Sequence, residues 1–355
     1  MNELAAAMRS FVMTGFGEPL REHSAPRPEP TGSEVLLKVD ACGVCHSDLH
    51  MWEGFFDLGQ GRQLDLRPSI ALPRALGHEI AGTVVAVGPD VRDARPGDRR
   101  VVFPWIGCGQ CARCAAGEEH LCAAQRNLGT RRDGGFGSHV LVPHERYLID
   151  FGSVREELAC TYACSGLTAF SALNKATPLG PRDPLVIIGA GGLGLQAIGL
   201  ARSVHGMAPI VAEIDRTKWD AALAAGAAQV LDPRDGEAVK RLVGETGGAA
   251  AAVDFVGAPS SVGFAMQTLR RGGRLVIVGL MGGSIELQLP LLPVRALSLI
   301  GSFVGSLGEM RALMALAREG RVPEIPVQTR PLHEAQRTLD DLKQGSVVGR
   351  VVLQP

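Results

Sequence analysis

Two kinds of hydrophobic pattern divide this chain. In its first part, apolar and polar residues alternate over residues 34–40, 80–87 and 99–103, and a period of two predicts half-buried β-strands. Glycine and proline separate these runs, as expected where turns join strands. The N-terminal part of the chain is therefore predicted to be mostly β.

From residue 184 onward, short apolar runs alternate with helical segments. The run 185–188 has no polar position, which is typical of a parallel strand that is buried on both faces. The other predicted strands are residues 209–213, 228–231, 252–256 and 274–278, and the predicted helices are 195–201, 217–225, 237–243 and 261–270. This alternation indicates a parallel, doubly wound sheet, so the chain is predicted to be an α/β protein.

A glycine motif lies between the first strand and the first helix of this region. Gly189 permits a tight turn, Gly191 lets a pyrophosphate approach the backbone amides, and Gly194 lets the helix pack on the strand. Glu213 ends the second predicted strand, where a carboxylate accepts hydrogen bonds from ribose hydroxyls and repels a 2′-phosphate. The motif therefore predicts NAD rather than NADP, although two basic residues closely follow Glu213.

Length, charge and termini exclude several classes of protein. The 355 residues suggest two domains, and 46% apolar residues are ordinary for a globular protein. With 36 basic and 37 acidic residues, no excess of positive charge is available for a nucleic-acid partner. No apolar run is long enough for a membrane helix, and the N-terminus lacks the features of a signal peptide. We therefore expect a cytoplasmic protein that binds neither nucleic acid nor membrane.

Four of the eight cysteines form a compact motif. Cys108, Cys111, Cys114 and Cys122 are separated by two, two and seven residues. Four thiolates can enclose a zinc ion tetrahedrally and leave no open position, as in a structural site. A redox Cys-x-x-Cys pair, an iron–sulfur cluster and four unliganded thiols are the alternatives that this spacing leaves open.

A second group of metal-ligand residues is spread along the chain. Cys45 begins the segment Cys-His-Ser-Asp-Leu-His, His78 stands in Gly-His-Glu, and Cys164 precedes a helical pattern. None is decisive alone, because a single histidine is more often a surface residue and a buried cysteine is more often a small apolar filler. Their combination and their order along the chain are more informative.

These motifs together resemble the zinc-dependent alcohol dehydrogenases of the medium-chain dehydrogenase/reductase superfamily, over nearly the whole chain. The resemblance implies a GroES-like, partly open β-barrel catalytic domain at residues 1–164 and 303–355. A structural zinc lobe is expected at about residues 104–125. A Rossmann NAD-binding domain with a doubly wound parallel sheet is expected at residues 165–302, so the active site would lie in the cleft between the domains.

The resemblance also implies two zinc ions per chain, one in the four-cysteine lobe and one catalytic. Cys45, His78 and Cys164 would hold the catalytic ion and leave a fourth position for the substrate alkoxide. Asp48 would orient His78, a role that can coexist with a turn or helix cap. Glu79 would lie behind the metal, as a neighbouring residue or a transient ligand.

A proton relay is implied from the substrate oxygen through Ser47 and the cofactor ribose to His50. For Arg350, contact with the pyrophosphate and an ordinary surface position are equally compatible with the sequence. The candidate cofactor-binding residues are His46, Thr168, Gly189, Gly191, Gly192, Leu193, Gly194, Glu213, Lys218, Val256, Gly279 and Arg350.

The stretch between Cys45 and His78 is longer than in simpler relatives. We expect its aromatic residues Trp52, Phe55 and Phe56 to form a lid or pocket wall, or else to be buried against the domain. Trp105 is a further pocket candidate. Aromatic walls favour a hydrophobic primary or secondary alcohol and its aldehyde or ketone.

Two other functions remain as alternatives: a polyol or amino-alcohol dehydrogenase of the same superfamily, and a non-catalytic NAD-binding module. The cysteine at position 164 argues against the polyol branch, and the complete set of ligands and relay residues argues against the module. We expect a homotetramer, with a dimer as the alternative.

Overall fold

The computed structural model of the protein describes residues 7–180 and 182–355. Its strands are β1 (Met8–Met13), β2 (Arg21–Ala25), β3 (Val35–Val44), β4 (Phe55–Gly59), β5 (Arg62–Asp65), β6 (Arg74–Ala75), β7 (Glu79–Val87), β8 (Arg99–Val102), β9 (His139–Val142), β10 (Leu148–Ile149), β11 (Leu185–Ile188), β12 (Ile210–Ala212), β13 (Gln229–Leu231), β14 (Ala249–Asp254), β15 (Leu269–Ile277), β16 (Ser298–Gly301), β17 (Val327–Pro331) and β18 (Arg350–Gln354).

The helices are α1 (His46–Glu53), α2 (Ala112–Ala115), α3 (Glu156–Ala159), α4 (Ser165–Ala176), α5 (Gly192–Ser203), α6 (Trp219–Ala224), α7 (Ala238–Thr246), α8 (Pro259–Thr268), α9 (Leu291–Arg295), α10 (Leu307–Arg318) and α11 (Ala335–Lys343). Among the described residues, none of these helices combines the length and the apolar character needed to cross a membrane.

The N-terminal part forms a mostly antiparallel β-structure that the C-terminus completes, and only β17 and β18 pair in parallel among the strands of its main sheet in the described residues. Its main sheet has the order β10-β8-β7-β3-β18-β17, with β9 also paired to β3. Strand β18 lies antiparallel to β3, with Val351 opposite Val44. A smaller sheet, β2-β1-β6, lies beside it. The chain therefore leaves this mostly β unit and returns to it, as the predicted split catalytic domain requires.

The second unit is the predicted doubly wound sheet. Its six strands have the order β13-β12-β11-β14-β15-β16 and are parallel throughout. The GroES-like and Rossmann architecture predicted for this α/β chain is thereby confirmed. Strand β14 begins three residues before its predicted start, because its buried alanines carry little hydrophobic signal although they fill the tight space between the layers.

Helix α4 connects the two units. It begins directly after Cys164, packs on α5 and α10, and buries most of its length. The predicted domain boundaries fall at the start of α4 and just after β16, and they stay predictions. The β4–β5 hairpin makes a second connection, because the Gly283 N–H of the nucleotide-binding unit donates to the Asp57 carbonyl oxygen over 3.3 Å.

Candidate active site and metal centres

The four cysteines of the predicted structural lobe converge on one point. The Sγ–Sγ distances are 4.0 Å for Cys108–Cys114, 3.6 Å for Cys111–Cys114 and 3.7 Å for Cys111–Cys122. Four sulfurs at about 2.3 Å from a tetrahedral zinc would be about 3.8 Å apart. The donor set therefore fits a zinc ion without rearrangement.

Backbone N–H groups favour the thiolate forms of Cys108 and Cys111. The N–H groups of Gln110 and Cys111 lower the pKa of Cys108 to about 6. Gly107 leaves room for the sulfur of Cys114, since a Cβ at Gly107 would lie 2.5 Å from it. A larger residue at position 107 would therefore displace one of the four sulfurs.

A buried glutamate that the sequence analysis did not identify supports the same lobe. Glu119 Oε2 accepts hydrogen bonds from the Gly107 N–H over 3.1 Å and from the Tyr147 hydroxyl over 2.7 Å. The Arg146 guanidinium lies 3.0 Å from Glu119 Oε1. No motif marks this glutamate, because its partners come from distant parts of the chain.

Cys45, His78 and Cys164 form the second donor set. Their donor atoms all lie within 4.8 Å of one another, and all three residues are buried. Cys45 precedes α1, Cys164 precedes α4, and His78 precedes β7. His78 Nε2 is buried without a hydrogen-bond partner among the described residues. The neighbouring Cys164 and His78 side chains lower the pKa of Cys45, so this set also fits a zinc ion.

Asp48 is the centre of a buried hydrogen-bond network behind these donors. Its Oδ2 accepts from the Cys45 N–H over 2.9 Å, and its Oδ1 accepts from the Gly77 N–H over 3.0 Å. His78 Nδ1 lies 3.1 Å from Asp48 Oδ1. The carboxylate therefore caps α1 and also faces the imidazole, which are the two roles the sequence leaves open.

Glu79 and Arg350 form a buried ion pair beside the donor set. The other Glu79 oxygen accepts from the Ser165 N–H over 3.0 Å, so both carboxylate oxygens are engaged. The Arg350 side chain runs alongside Gly192, where a Cβ would lie 2.4 Å from Arg350 Cδ. Arg350 is thus buried rather than a surface residue, and it lies between the donor set and the start of α5.

Ser47 and His50 lie on α1, next to the donor set. Ser47 lines the main cavity, with its Oγ 3.9 Å from Cys45 Sγ. His50 is half-buried, and its ring centre is 4.9 Å from that of Phe56. Burial, followed by the nearby His46, lowers the pKa of His50. His46 itself is exposed at the first position of the helix.

The glycine motif forms an open cradle at the start of α5. Gly189 has a φ of +90°, and a Cβ at Gly194 would lie 1.9 Å from the Gly189 carbonyl oxygen. A Cβ at Gly191 would meet no atom within 4 Å. The two outer glycines are therefore needed for the fold, whereas Gly191 faces the space that a pyrophosphate would occupy.

Glu213 ends β12 beside this cradle. Its Oε2 accepts from the Ala190 N–H over 2.6 Å, and its Oε1 accepts from the Asp215 N–H over 2.8 Å. Lys218 lies near it and pairs with Asp215, Nζ to Oδ2 3.4 Å. The acidic side chain thus stands at the predicted position relative to the glycine motif.

One cavity of about 680 Å³ joins the metal donors to the nucleotide-binding sheet. Two of the predicted metal ligands, Cys45 and Cys164, line it together with Thr168, Leu193 and Gly279. Gly257 and Gly279 end adjacent strands and touch, since a Cβ at Gly257 would lie 1.9 Å from the Gly279 carbonyl oxygen. Val256, just before Gly257, is half-buried in the same strand-end loop.

The predicted pocket aromatics divide into two groups. The Trp105 ring centre is 5.2 Å from that of His78 and 5.7 Å from that of Phe303, a residue that lines the cavity. Trp52 lies elsewhere, because its Nε1 donates to the Glu18 carbonyl oxygen over 2.6 Å and α1 packs on α11.

The predicted role of Trp52 as a pocket wall is therefore corrected: the residue is buried against its own unit, which is the alternative given above. Phe55 and Phe56 belong to the β4–β5 hairpin and also lie outside the cavity lining. Phe56 instead contacts His50.

Comparison with known families and proteins agrees with these features. Residues 31–151 match the alcohol dehydrogenase GroES-like domain, and residues 192–319 match the zinc-binding dehydrogenase family. A NAD-dependent alcohol dehydrogenase of Sulfurisphaera tokodaii is 37% identical, over 98% of this chain and 100% of that protein. A NAD-dependent alcohol dehydrogenase of Saccharolobus solfataricus is 36% identical, with the same coverage.

Two further comparisons show the range of the family. The D-arabinose 1-dehydrogenase (NADP(+)) of Saccharolobus solfataricus is 30% identical, over 98% of this chain and 97% of that protein. The crystal structure of the alcohol dehydrogenase from Aeropyrum pernix superposes with a TM-score of 0.88 at 30% identity, covering 98% of this chain and 100% of that one. The chain therefore belongs to the zinc-dependent alcohol dehydrogenases of the medium-chain dehydrogenase/reductase superfamily, and it is an oxidoreductase.

Proposed function

We propose that this protein is a NAD-dependent zinc enzyme that interconverts a hydrophobic primary or secondary alcohol and its aldehyde or ketone by hydride transfer. A single observation carries the proposal: one cavity is lined by both Cys45 and Cys164 and by the strand-end glycine of the nucleotide-binding sheet. Such a cavity can hold a substrate oxygen near a metal and a substrate carbon near a nicotinamide.

Cys45, His78 and Cys164 would hold the catalytic zinc, and the four-cysteine lobe would hold the structural one. Zinc in the first site supplies a Lewis acid that lowers the pKa of an alcohol hydroxyl and polarises a carbonyl. Asp48 Oδ1 accepts a hydrogen bond from His78 Nδ1–H, which leaves Nε2 free as the ligand atom. Both Glu79 oxygens are engaged, so its role as a transient ligand requires the Arg350 pair to open.

Ser47 and His50 are placed to move the substrate proton out of the cavity. The Ser47 hydroxyl lines the cavity and can accept a proton while it donates its own. His50 lies one helical turn further along α1 and is partly exposed, so it can release the proton to solvent. The lowered pKa of His50 keeps the ring neutral and able to accept that proton at neutral pH.

The cofactor-binding residues follow from the cradle and its surroundings. Gly191 and Gly192 would admit the pyrophosphate to the start of α5, and Arg350 would lie beside it. Thr168, whose buried Oγ1 has no partner among the described residues, is available to the nicotinamide end. Glu213 would favour NAD by repelling a 2′-phosphate. His46, Leu193, Lys218, Val256 and Gly279 complete the proposed set.

The cavity walls near the metal donors support a hydrophobic substrate. Leu121, Leu193, Leu280 and Phe303 all line the cavity. An apolar wall gains free energy from a buried alkyl or aryl group, whereas it offers no hydrogen bonds to the extra hydroxyls of a polyol. A polyol or amino-alcohol substrate is the alternative that the assay below separates.

We further propose that copies of this chain associate through the β16 edge of the nucleotide-binding sheet. Large apolar side chains are exposed next to this edge strand: Met281 at 68%, Leu289 at 69% and Val294 at 61%. An edge strand with exposed apolar neighbours is prone to pair with another chain. A homotetramer is the proposed assembly, a dimer is the alternative, and light scattering coupled to size exclusion distinguishes both from a monomer.

Steady-state oxidation of primary, secondary, aromatic and polyol substrates with NAD⁺ and with NADP⁺ tests the proposed activity. We expect the highest kcat/KM with a hydrophobic alcohol and NAD⁺. Glu213→Gln should lower the ratio of kcat/KM for NAD⁺ over NADP⁺ by about 10-fold, a loss of about 1.4 kcal/mol in discrimination. Glu237→Gln, a matched change on the exposed surface, should leave that ratio unchanged. Equal activity with both cofactors, or preference for polyols, would contradict the proposal.

A further inference from the structure

The main cavity has a polar end away from the metal donors. We define this polar end by the side chains of His120, Ser171, Lys175, Ser302 and Glu309, all of which line the cavity. They come from the zinc lobe, from α4, from the end of β16 and from α10. The proton relay and the cofactor cradle use none of them.

Lys175 is the cation of this polar end. Its Nζ donates to Ser302 Oγ over 2.8 Å and to Ser171 Oγ over 3.2 Å. An ammonium group has three donors, so one remains for a ligand. Within residues 7–180 and 182–355, Lys175 forms no ion pair within 4.0 Å, and its hydrogen-bond partners are neutral hydroxyls. The carboxylate whose charge acts on Lys175 is that of Glu309, which lines the same cavity. Burial lowers the pKa of the half-buried Lys175 more than the negative charge of Glu309 raises it.

The carboxylates near Lys175 are engaged with other groups. Glu118, which also lines the cavity, pairs with Arg113 over 2.6 Å. Glu309 Oε2 accepts from the Ser306 N–H over 2.9 Å and from its hydroxyl over 3.1 Å, as the capping residue of α10. Lys175 therefore remains the group best able to bind an anion.

The geometry of α4 fixes the distance between the polar end and the metal donors. Because Lys175 Nζ contacts Ser171 Oγ, the side chain points back toward the start of the helix. The ammonium thus lies near the level of residue 171, and residue 164 lies about 10 Å away along the axis at 1.5 Å per residue. The apolar side chains of Leu193 and Phe303 also line the cavity.

We propose that the polar end binds a carboxylate at the far end of the alcohol substrate, with Lys175 as the residue that determines this specificity. The preferred substrates are then ω-hydroxy carboxylates and the matching aldehydes, with an apolar chain that spans about 10 Å. A chain of about eight carbons fits that span, given bond lengths near 1.5 Å. This inference rests on the proposed alcohol dehydrogenase activity and names its substrate class.

The test compares 8-hydroxyoctanoate with octan-1-ol as substrates of the full-length, zinc-loaded protein. The ratio of their kcat/KM values removes effects common to both, such as a change in cofactor binding. In the wild type we expect the ratio to exceed one and to be greatest near eight carbons in a series from four to ten. In Lys175→Met the ratio should fall about 10- to 100-fold, as for loss of a hydrogen bond to a charged group. Lys175→Arg, which retains the charge, should keep part of the preference.

Lys240→Met serves as the matched control, because this lysine is exposed on α7 and should leave the ratio as it is. The NADH dissociation constant of each variant, measured by fluorescence, reports on the cofactor site separately. The inference would be overturned if the ratio did not change in Lys175→Met. It would also be overturned if the variant bound NADH more weakly and its kcat/KM values for both substrates decreased by the same factor. A wild type that oxidises octan-1-ol without preferring the carboxylate would overturn only this inference. Failure to oxidise either substrate would overturn the proposed function with it.

Discussion

Replacement of Asp48 by asparagine should separate the two roles of this carboxylate. Asp48 is 1% exposed and accepts three hydrogen bonds, from the backbone of Cys45 and Gly77 and from the His78 ring. An asparagine can keep its oxygen toward Gly77 and His78, but its NH₂ group then faces the Cys45 N–H. Two buried donors are left without acceptors as a result.

The magnitude follows from these contacts. Each unsatisfied buried donor costs about 1–3 kcal/mol, so Asp48→Asn, which leaves two of them, should lower the free energy of unfolding by about 2–6 kcal/mol. Loss of the negative charge beside His78 should also weaken zinc binding at the Cys45–His78–Cys164 site by about 10- to 100-fold. The four-cysteine site does not contact Asp48 and should keep its zinc.

The assay combines competition for zinc against a chelator with calorimetric unfolding. Zinc per chain should fall from about two toward one at chelator concentrations that leave the wild type loaded. Asp40→Asn is a suitable control: this carboxylate accepts from the Thr83 hydroxyl over 2.6 Å and belongs to neither metal-donor set. If Asp48→Asn lost stability but kept wild-type zinc affinity, Asp48 would be a helix cap only, and the argument for its orientation of His78 would be refuted.

Four other outcomes are expected. Cys111→Ser should remove one zinc per chain and lower the unfolding temperature, while the other zinc remains bound; retention of both ions by metal analysis would contradict the structural-site assignment. Gly194→Ala should lower the free energy of unfolding by about 1–3 kcal/mol, because the added Cβ meets the Gly189 carbonyl. Gly191→Ala should fold normally but bind NADH more weakly. Equal losses of stability for the two variants in calorimetry would disprove this distinction. Burial lowers the pKa of His50 below the usual value of about 6.5, so the ring stays neutral and accepts a proton until the pH falls below that value, and kcat/KM should decrease only there. Phe56→Ala exposes the His50 ring and should shift this decrease in kcat/KM to higher pH. A pH profile that does not shift would exclude His50 as the group that titrates. Deletion of residues 55–61 should change the ranking of kcat/KM across alcohols, since the hairpin touches the nucleotide-binding unit through Asp57; an unchanged ranking would end the lid hypothesis.

Local patterns were sufficient for much of this structure. The run Leu185–Ile188 and the glycines after it predict a strand, a turn and a helix, because each step depends on neighbouring residues. The four-cysteine lobe is equally local, since three of its ligands lie within seven residues. The second donor set needed the family resemblance, because Cys45, His78 and Cys164 meet only in the folded chain.

Features that depend on distant packing could not be predicted. The pairing of Glu79 with Arg350 joins residues that are 271 positions apart, and Glu119 finds its partner Tyr147 through tertiary contacts. Trp52 is close to Cys45 in the sequence and is therefore expected at the pocket. In the folded chain it is buried where α1 packs on α11. The polar end of the cavity has no sequence motif either, since it forms only where α4 and the end of β16 meet.

The Cys45→Ala variant tests most directly whether Cys45, His78 and Cys164 hold a catalytic zinc ion. Zinc content and alcohol-dependent reduction of NAD⁺ are measured on the same preparation. We expect about two zinc ions per wild-type chain, about one in the variant, and loss of alcohol oxidation with the fold retained in calorimetry. One zinc ion in the wild type, together with alcohol oxidation that survives in Cys45→Ala, would leave only the structural site and would contradict the proposed catalytic centre.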